Sequence, residues 1–211
     1  MGGFVDESID NLEPQDASDF MAAVDAAVVQ HQKGTFLVAR SCAKEQIFWE
    51  HEKSTIPRRI TLWLEPIITM SGLMRLHRDF GWPIHRLGLQ SKTWAFDLVG
   101  YANDGTEQLV CEVKKTRKEV DRLIEFMMLH RATPNDANLG LKGAELNAMR
   151  KVIGLRKCAA PIFWVLGPGR YEQVFGVTYT PNGHVTLTPI DVGALQEADG
   201  AANASSVDWI Q

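Results

Sequence analysis

The stretch FDLVGYANDGTEQLVCEVKKTRKE, residues 96–119, decides the fold of this chain. Near its middle, Asp104 and Gly105 form a dipeptide that is among the strongest short-range signals for a β-hairpin turn. The flanking segments 93–102 and 107–114 contain many aliphatic, aromatic and β-branched side chains, which are typical of strands. The stretch therefore predicts a two-stranded hairpin, and the rest of the fold is interpreted outward from it.

The turn also predicts which residues face each other across the hairpin. If the turn is centred between Asp104 and Gly105, paired residue numbers add up to 209, so Asp97 lies opposite Glu112. Directly opposed residues share a face, with Cβ atoms about 4.5–5.5 Å apart. Lys114 follows Glu112 by two positions and is expected on the same face. The other face is apolar and is predicted to be core, with Phe96, Leu98, Cys111 and Val113.

Two carboxylates that face each other across a hairpin repel, so this pair needs compensation. The two groups could share a proton, or Lys114 could act as their counter-ion. They could also bind a divalent cation, because carboxylate oxygens are suitable ligands for hard cations. A lysine beside such a cation can orient a water and stabilise developing phosphoryl charge, which suits phosphodiester hydrolysis. A solvated hairpin face with an incidental ion pair has the same sequence pattern.

Helices and further strands are predicted on both sides of the hairpin. Thr116 and Glu119 form a capping box that starts a helix directly after the second strand. The expected order is helix, three strands, one or two helices and a strand, over residues 66–80, 84–89, 93–102, 107–114, 116–131, 144–157 and 161–166. This order predicts a mixed α/β sandwich with a central sheet and flanking helices. Additions are expected at both ends: helices over 19–30, capped by Ser18, and 43–53, strands over 35–38 and 60–64, and a hairpin over 171–180 and 184–188.

Asp97, a hairpin, then Glu112-Val113-Lys114 and a capped helix resemble the PD-(D/E)xK nuclease superfamily, also called restriction-endonuclease-like. The resemblance covers residues 64–166 and implies the αβββαβ core of that superfamily, with 144–157 as an extra helix. Phe96 stands where the superfamily's motif often has a proline, at a position that varies within it.

The resemblance also implies roles for individual residues. Asp97 and Glu112 would bind Mg²⁺ or Mn²⁺, with the main-chain carbonyl of Val113 as a third ligand, and Lys114 would serve the attacking water. The superfamily often has a further glutamate on the helix before the sheet. Glu65 is the first candidate for that position and Glu50 the second, although each is also interpreted as an ordinary surface or helix-start charge.

A basic run follows the hairpin directly. Its side chains, together with the start of the following helix, could hold phosphate groups of DNA, and RNA is not excluded. The members with this expected role are Lys115, Arg117, Lys118 and Arg122. Trp94 and Tyr101 flank the hairpin and could stack on bases, but core or edge packing is the favoured interpretation for each.

Composition and charge limit the class of protein to which this chain can belong. The chain has 211 residues, of which 45% are hydrophobic and 23% charged, as in ordinary globular domains. Residues 31–157 carry a net charge of +7 between acidic ends, although the whole chain carries −4, so a polyanion could bind the basic centre. Three scattered cysteines and the lack of an apolar stretch long enough for a membrane helix predict a cytoplasmic protein without a membrane partner.

These observations predict four regions along the chain. They are an acidic N-terminal extension over 1–63, a nuclease-like core over 64–166, a C-terminal hairpin over 167–192 and a mobile tail over 193–211. The function expected is metal-dependent hydrolysis of DNA phosphodiester bonds. The alternatives are a catalytically inactive DNA- or protein-binding module of the same fold, and a nuclease subunit of a transposition or recombination complex. The protein is expected to act as a homodimer or an accessory subunit if it assembles.

Overall fold

The structure is a computed structural model that describes residues 5–7, 9–50, 59–134 and 140–196. The α-helices of this part of the chain are α1 Pro14–Asp25, α2 Leu64–Arg78, α3 Arg117–His130 and α4 Gly143–Cys158. Its strands are β1 Val5–Glu7, β2 Gln30–Gln32, β3 Thr35–Leu37, β4 Glu45–Gln46, β5 Phe48–Glu50, β6 Arg59–Leu62, β7 Leu87–Leu89, β8 Leu98–Tyr101, β9 Glu107–Val113, β10 Ile162–Leu166, β11 Glu172–Tyr179 and β12 Val185–Pro189. Short 3-10 helices cover Ile9–Asn11, Ile84–Arg86, Pro168–Arg170 and Val192–Leu195.

A six-stranded sheet in the order β12-β11-β10-β9-β8-β7 forms the centre of the fold. The pair β9–β10 is parallel and the other pairs are antiparallel, so the sheet is mixed. Apolar residues of α2 pack with one face of the sheet, and those of α3 and α4 pack with the other face. The predicted mixed α/β architecture with a central sheet and flanking helices is confirmed.

Two smaller sheets lie in the N-terminal part of the chain, one in the order β1-β6-β5 and one in the order β2-β3-β4. The helix predicted over 43–53 is wrong for the described residues of that segment, which form β4 and β5 instead. Its many charged side chains suggested a helix, but pairing of β4 with β3 and of β5 with β6 overrides that weak local preference.

Three pairs of the β8–β9 hairpin agree with the predicted register, but the turn that joins the two strands differs from the prediction. Leu98 pairs with Cys111 and Gly100 with Leu109, which are pairs that add up to 209. The turn, however, has three residues between Ala102 and Thr106, and the Ala102 amide donates to the Thr106 carbonyl over 2.8 Å. A bulge at Gln108 then adds one residue to β9 and restores the register.

The first strand of the hairpin is shorter than predicted. Residues 93–97 precede β8 as irregular chain, in which Trp94 has a φ of 58°. Leu98, Cys111 and Val113 lie in the apolar cluster beside α2, as expected. Phe96 lies instead in the cluster beside α3 and α4, because the chain does not alternate like a strand before Leu98.

The start of α1 also differs from expectation. The helix begins at Pro14 rather than near Asp19, and Ser18 lies inside it. Proline is favoured in the first turn of a helix, where its missing N–H group removes no hydrogen bond. Asp19 of this helix forms ion pairs with Arg78 of α2, at 3.0 Å, and with Arg170, at 2.9 Å. The acidic N-terminal helix is thereby held on the outer side of α2.

The C-terminal hairpin, β11 and β12, extends the central sheet beside β10. Within the tail predicted over 193–211, Leu195 is buried and its carbonyl accepts a hydrogen bond of 2.7 Å from Trp82 Nε1. The chain is therefore packed as far as Leu195, whereas residues 197–211 lie outside the described part. No helix within the described ranges is long and apolar enough to cross a membrane.

Candidate active site

The predicted site residues come together where β9 ends and two helices begin. Glu112 and Val113 are the last two residues of β9, and Lys114 follows them. Asp97 immediately precedes β8, and its amide donates to the carbonyl of Cys111 over 2.9 Å. This contact joins Asp97 to Cys111, which already pairs with Leu98, so the regular pairing ends at Leu98 and the predicted pair of Asp97 with Glu112 is not formed in that register.

Glu112 is held between two lysines. Its side chain is only 2% exposed, and Oε1 accepts a hydrogen bond of 2.6 Å from Lys114 Nζ. Lys151 Nζ, from α4, lies 2.5 Å from the other oxygen, Oε2. The angle of that second contact is not that of a hydrogen bond, and within the described chain Oε2 accepts none. The carboxylate is thus buried between two ammonium groups, and its Oε2 atom can still accept a hydrogen bond.

The Lys114 ammonium occupies the point where two oxygens of the predicted ligand set meet. Besides Glu112 Oε1, it donates to the carbonyl of Val113 over 2.9 Å. Asp97 lies on the other side of Val113 and accepts the Val113 amide through Oδ2 over 2.8 Å. A cation is therefore already accommodated by these oxygens, and the donor set of Asp97, Glu112 and the Val113 carbonyl consists of the hard oxygens that Mg²⁺ and Mn²⁺ prefer.

Burial and charge shift the acid–base properties of this group. Burial, with the neighbouring Asp97 carboxylate, raises the pKa of Glu112 to about 7, although Lys151 and Lys114 oppose the change. Burial alone would lower the pKa of Lys114, but the carboxylates of Glu112, Glu65 and Asp97 together raise it. Lys114 is therefore an ammonium at neutral pH, and the excess charge around it is negative.

A cleft of about 500 Å³ opens beside Asp97. Three carboxylates from separate elements line it, with one lysine and one carboxamide: Glu45, Glu65, Asp97, Lys115 and Gln90. Burial is the main cause that raises the pKa of both Glu45 and Glu65. Nevertheless, among the residues that the structure describes, no three histidine, cysteine, aspartate or glutamate side chains are close enough to hold a metal together.

Glu65 lies at the second position of α2 and lines two clefts. Its pKa is raised mainly by burial and responds to the charges of Lys114 and Asp97, so it belongs to the same electrostatic group. Glu50, the second candidate, is the last residue of β5, and its side chain lies outside the described part of the structure.

The basic run borders the site on the side of α3. Lys115, Arg117 and Lys118 are exposed, and Arg122 lines a cleft of about 270 Å³ together with Lys114 and Glu65. The guanidinium of Arg117 lies 5.3 Å from the ring centre of Tyr171. This arrangement places positive charge at the edges of the clefts that Lys115 and Arg122 line.

An acidic segment faces part of this basic run. Asp10 and Glu13 line a third cleft, of about 760 Å³, whose other wall includes Lys115 and Arg117. Lys115 is common to this cleft and the one beside Asp97, so the two clefts adjoin. A polyanion that follows the basic run would therefore be repelled on the side of Asp10 and Glu13.

Three residues of the site are not identified by the sequence interpretation. Lys151 reaches Glu112 only because α4 crosses the sheet there, and no local pattern marks that contact. Glu45 falls in the segment that the charge pattern assigned to a helix. Gln90, between β7 and β8, lies 3.3 Å from Glu45 Oε1 and 3.4 Å from Asp97 Oδ1, which only the hairpin geometry reveals.

Gly154 determines how closely α4 approaches the chain that leads to Asp97. A Cβ atom at this position would lie 2.5 Å from the Cβ of Ala95 and 3.2 Å from Phe96. We expect Gly154→Ala to reduce the free energy of unfolding by about 1–3 kcal/mol, because the packed layer must shift. Urea unfolding measures this change.

Two further variants identify the cause of that change. Adding Ala95→Gly to Gly154→Ala removes the closest contact and should restore much of the stability. Lys157→Ala, at an exposed position of α4, should leave stability nearly unchanged. Equal stability of Gly154→Ala and the wild type would show that the two layers have room to separate.

No protein-family model, curated protein or solved structure matches the chain.

Proposed function

We propose that this protein is a metal-dependent nuclease that hydrolyses DNA phosphodiester bonds, with a restriction-endonuclease-like core. The observation that carries the proposal is the convergence of Glu112 Oε1 and the Val113 carbonyl on a cationic group next to Asp97. Burying a carboxylate whose pKa is raised to about 7 is unfavourable, and such groups concentrate at functional sites.

In the proposed site, Asp97, Glu112 and the Val113 carbonyl hold Mg²⁺ or Mn²⁺, which polarises the phosphate and lowers the pKa of a water. Lys114 orients the attacking water and stabilises negative charge on the phosphoryl oxygens. Lys151 keeps the Glu112 carboxylate in position from the opposite side. Lys115, Arg117, Lys118 and Arg122 bind neighbouring phosphates of the DNA, and Glu65 supplies further negative charge at the edge of the site.

Cleavage assays on linear duplex, branched and single-stranded DNA, and on RNA, test the proposal directly. We expect cleavage that requires Mg²⁺ or Mn²⁺ and stops in EDTA. Cleavage that continues in EDTA, or no cleavage of any substrate in either metal, would contradict it.

The three cysteines are all free, which accords with the cytoplasmic location that we include in the proposal.

A second candidate is a binding module of the same fold without catalysis. It is favoured by the observation that lysines contact both oxygens of Glu112, so that the carboxylate is charge-compensated without a metal. Such a module would bind DNA through the basic run and would not respond to divalent cations.

Thermal unfolding in Mn²⁺ distinguishes the two candidates. A metal that binds only the folded state raises the melting temperature, by roughly 5–10 °C at about 100 times its Kd. We expect this rise for the wild type and its loss in Asp97→Asn. In Lys114→Met the rise should be at least as large as in the wild type, because the competing ammonium is gone.

The control for this measurement is Glu125→Gln, at an exposed position of α3 away from the site. It should respond to Mn²⁺ like the wild type. An equal response of Asp97→Asn and the wild type would place the Mn²⁺ elsewhere and favour the binding module.

A further inference from the structure

Trp94 is unusually exposed for its size. Its side chain is 66% accessible to solvent, whereas Tyr101, at the other end of the same segment, is 2% exposed. Packing is therefore confirmed for Tyr101 and wrong for Trp94. A large aromatic side chain left in water forgoes the stabilisation that burial would give it, and exposed tryptophans are typical of binding surfaces.

The backbone at Trp94 is also unfavourable. Its φ of 58° lies in the left-handed region, which bulky residues rarely adopt. Buried Ser91 imposes this conformation: its hydroxyl accepts the amides of Ala95 and Phe96, at 3.0 and 3.1 Å, and its carbonyl accepts the Trp94 amide at 2.8 Å. The loop is thus a defined structure that presents the indole outward, and strain of this kind concentrates at functional sites.

The loop is directly connected to the candidate active site. It joins β7 to β8 and includes Gln90 and Asp97, which line the cleft. The carbonyl of Ala95, next to Trp94, accepts a hydrogen bond of 2.5 Å from Lys151 Nζ, the group that contacts Glu112. Trp94 is therefore the sequence neighbour of Ala95, and the carbonyl of Ala95 binds the lysine that also contacts Glu112.

We propose that Trp94 is a stacking platform for an unpaired base of a single-stranded polynucleotide. The inference rests on the proposed function, because the same strand would present its phosphodiester to Lys114. An aromatic ring in water can stack on any base whose face is free, whereas a duplex keeps its base faces covered. Lys115, which is exposed and lines the cleft, supplies positive charge for the backbone of the strand.

The test measures binding of fluorescent single-stranded and duplex oligonucleotides by anisotropy, with Ca²⁺ in place of Mg²⁺. We expect Trp94→Gly to bind the single strand roughly tenfold or more weakly, and the duplex as the wild type does. Its melting temperature should equal or exceed that of the wild type, because glycine adopts a positive φ without strain. Trp94→Phe should keep most of the affinity.

Two more variants complete the design. Trp94→Asn, which also tolerates the left-handed backbone, repeats the test if the glycine variant is poorly folded. Leu129→Ala is the matched control, because Leu129 is also 66% exposed and lies near the end of α3. It should bind both oligonucleotides like the wild type.

Each outcome separates the two proposals. If the wild type binds neither oligonucleotide, the proposed function fails and the role of Trp94 fails with it. If the wild type binds but Trp94→Gly and Trp94→Asn bind the single strand equally well, only the role of Trp94 is overturned. If both variants lose duplex affinity to the same extent, Trp94 contacts the duplex and the assignment to an unpaired base is wrong.

Discussion

Replacing Glu112 by glutamine is expected to lower Mg²⁺-dependent DNA cleavage by at least about 100-fold. In the proposed function a metal contributes several kcal/mol to stabilising charge in the transition state, and this variant would remove a charged ligand of that metal while it keeps the shape of the side chain. Asp97→Asn should have an effect of the same order. Both substitutions preserve the buried volume, so their folding can be compared directly with the wild type.

Lys114→Met should reduce cleavage comparably, but for a different reason. The variant keeps the carboxylates, and it loses the ammonium that orients the attacking water in the proposed function. Single-turnover cleavage at saturating Mn²⁺ separates the two cases: the loss should remain for Lys114→Met, and should be partly recovered for Asp97→Asn if its main defect is metal affinity.

Glu125→Gln again serves as the control, and circular dichroism confirms that each variant is folded. Full activity in Glu112→Gln would exclude a role for this carboxylate in catalysis. Unchanged activity in all three site variants would mean that any cleavage observed comes from another part of the molecule.

The stability of the metal-free protein is expected to fall as the pH rises from 5 to 8. The pKa of Glu112 is about 7 in the folded protein, against an ordinary value of 4.5, so the folded state binds more protons than the unfolded state over this interval. Stability therefore decreases between pH 4.5 and 7 and levels off above it. The contribution of Glu112 is about 3 kcal/mol.

Urea unfolding of wild type and Glu112→Gln at pH 5 and pH 8, in EDTA, measures this contribution. The glutamine variant should lose about 3 kcal/mol less than the wild type over the same interval, and at pH 8 it should be at least as stable. Burial also raises the pKa of Glu45 and Glu65, which leaves some pH dependence in the variant. Parallel curves for the two proteins would show that Glu112 is ionised in the folded state already at pH 5.

Lys151→Met extends the same reasoning. It leaves Glu112 buried without one of its two counter-ions, so at pH 8 it should be less stable than the wild type. Combining it with Glu112→Gln should restore much of that loss, since the uncompensated charge is then removed as well. The free energies of unfolding of the wild type, both single variants and the double variant together give the coupling energy of the pair.

The sequence predicts the central arrangement because it is encoded locally. The period of two along β9 and the turn signal bring Asp97, Glu112 and Lys114 together, and Thr116 caps α3 by accepting the Glu119 amide over 3.2 Å. The apolar run of β10 is buried in the sheet as its composition suggests. These features depend on neighbours in the chain, which a single sequence displays.

The sequence does not predict what depends on tertiary packing. Lys151 contacts Glu112 from a helix almost forty positions away, and Glu45 reaches the cleft from a strand whose residues have no strong strand preference. The exposure of Trp94 follows from Ser91, whose hydroxyl is used inside the loop rather than at a helix start. In each case a distant or unusual contact overrides the local signal.

The prediction is correct for the pairs that Leu98, Val99 and Gly100 form with β9, although it is wrong for the turn. The predicted turn is centred between Asp104 and Gly105, whereas the turn of the structure is centred on Asp104, and the bulge at Gln108 cancels this one-position offset. The agreement therefore comes from two compensating features. Only the pairs closer to the site than the bulge have the expected numbering.

That bulge also separates the tip of the hairpin from the end that contains Glu112. Residues 101–107, on the turn side of Gln108, pair in a register that differs by one residue from the register of the pairs farther from the turn. Loop length at the tip can thus drift by insertion or deletion without rotating Glu112 away from Asp97. Any alignment of this hairpin should be anchored at the Glu112 end, and the tip offers a tolerant place to graft a peptide tag or a reporter dye.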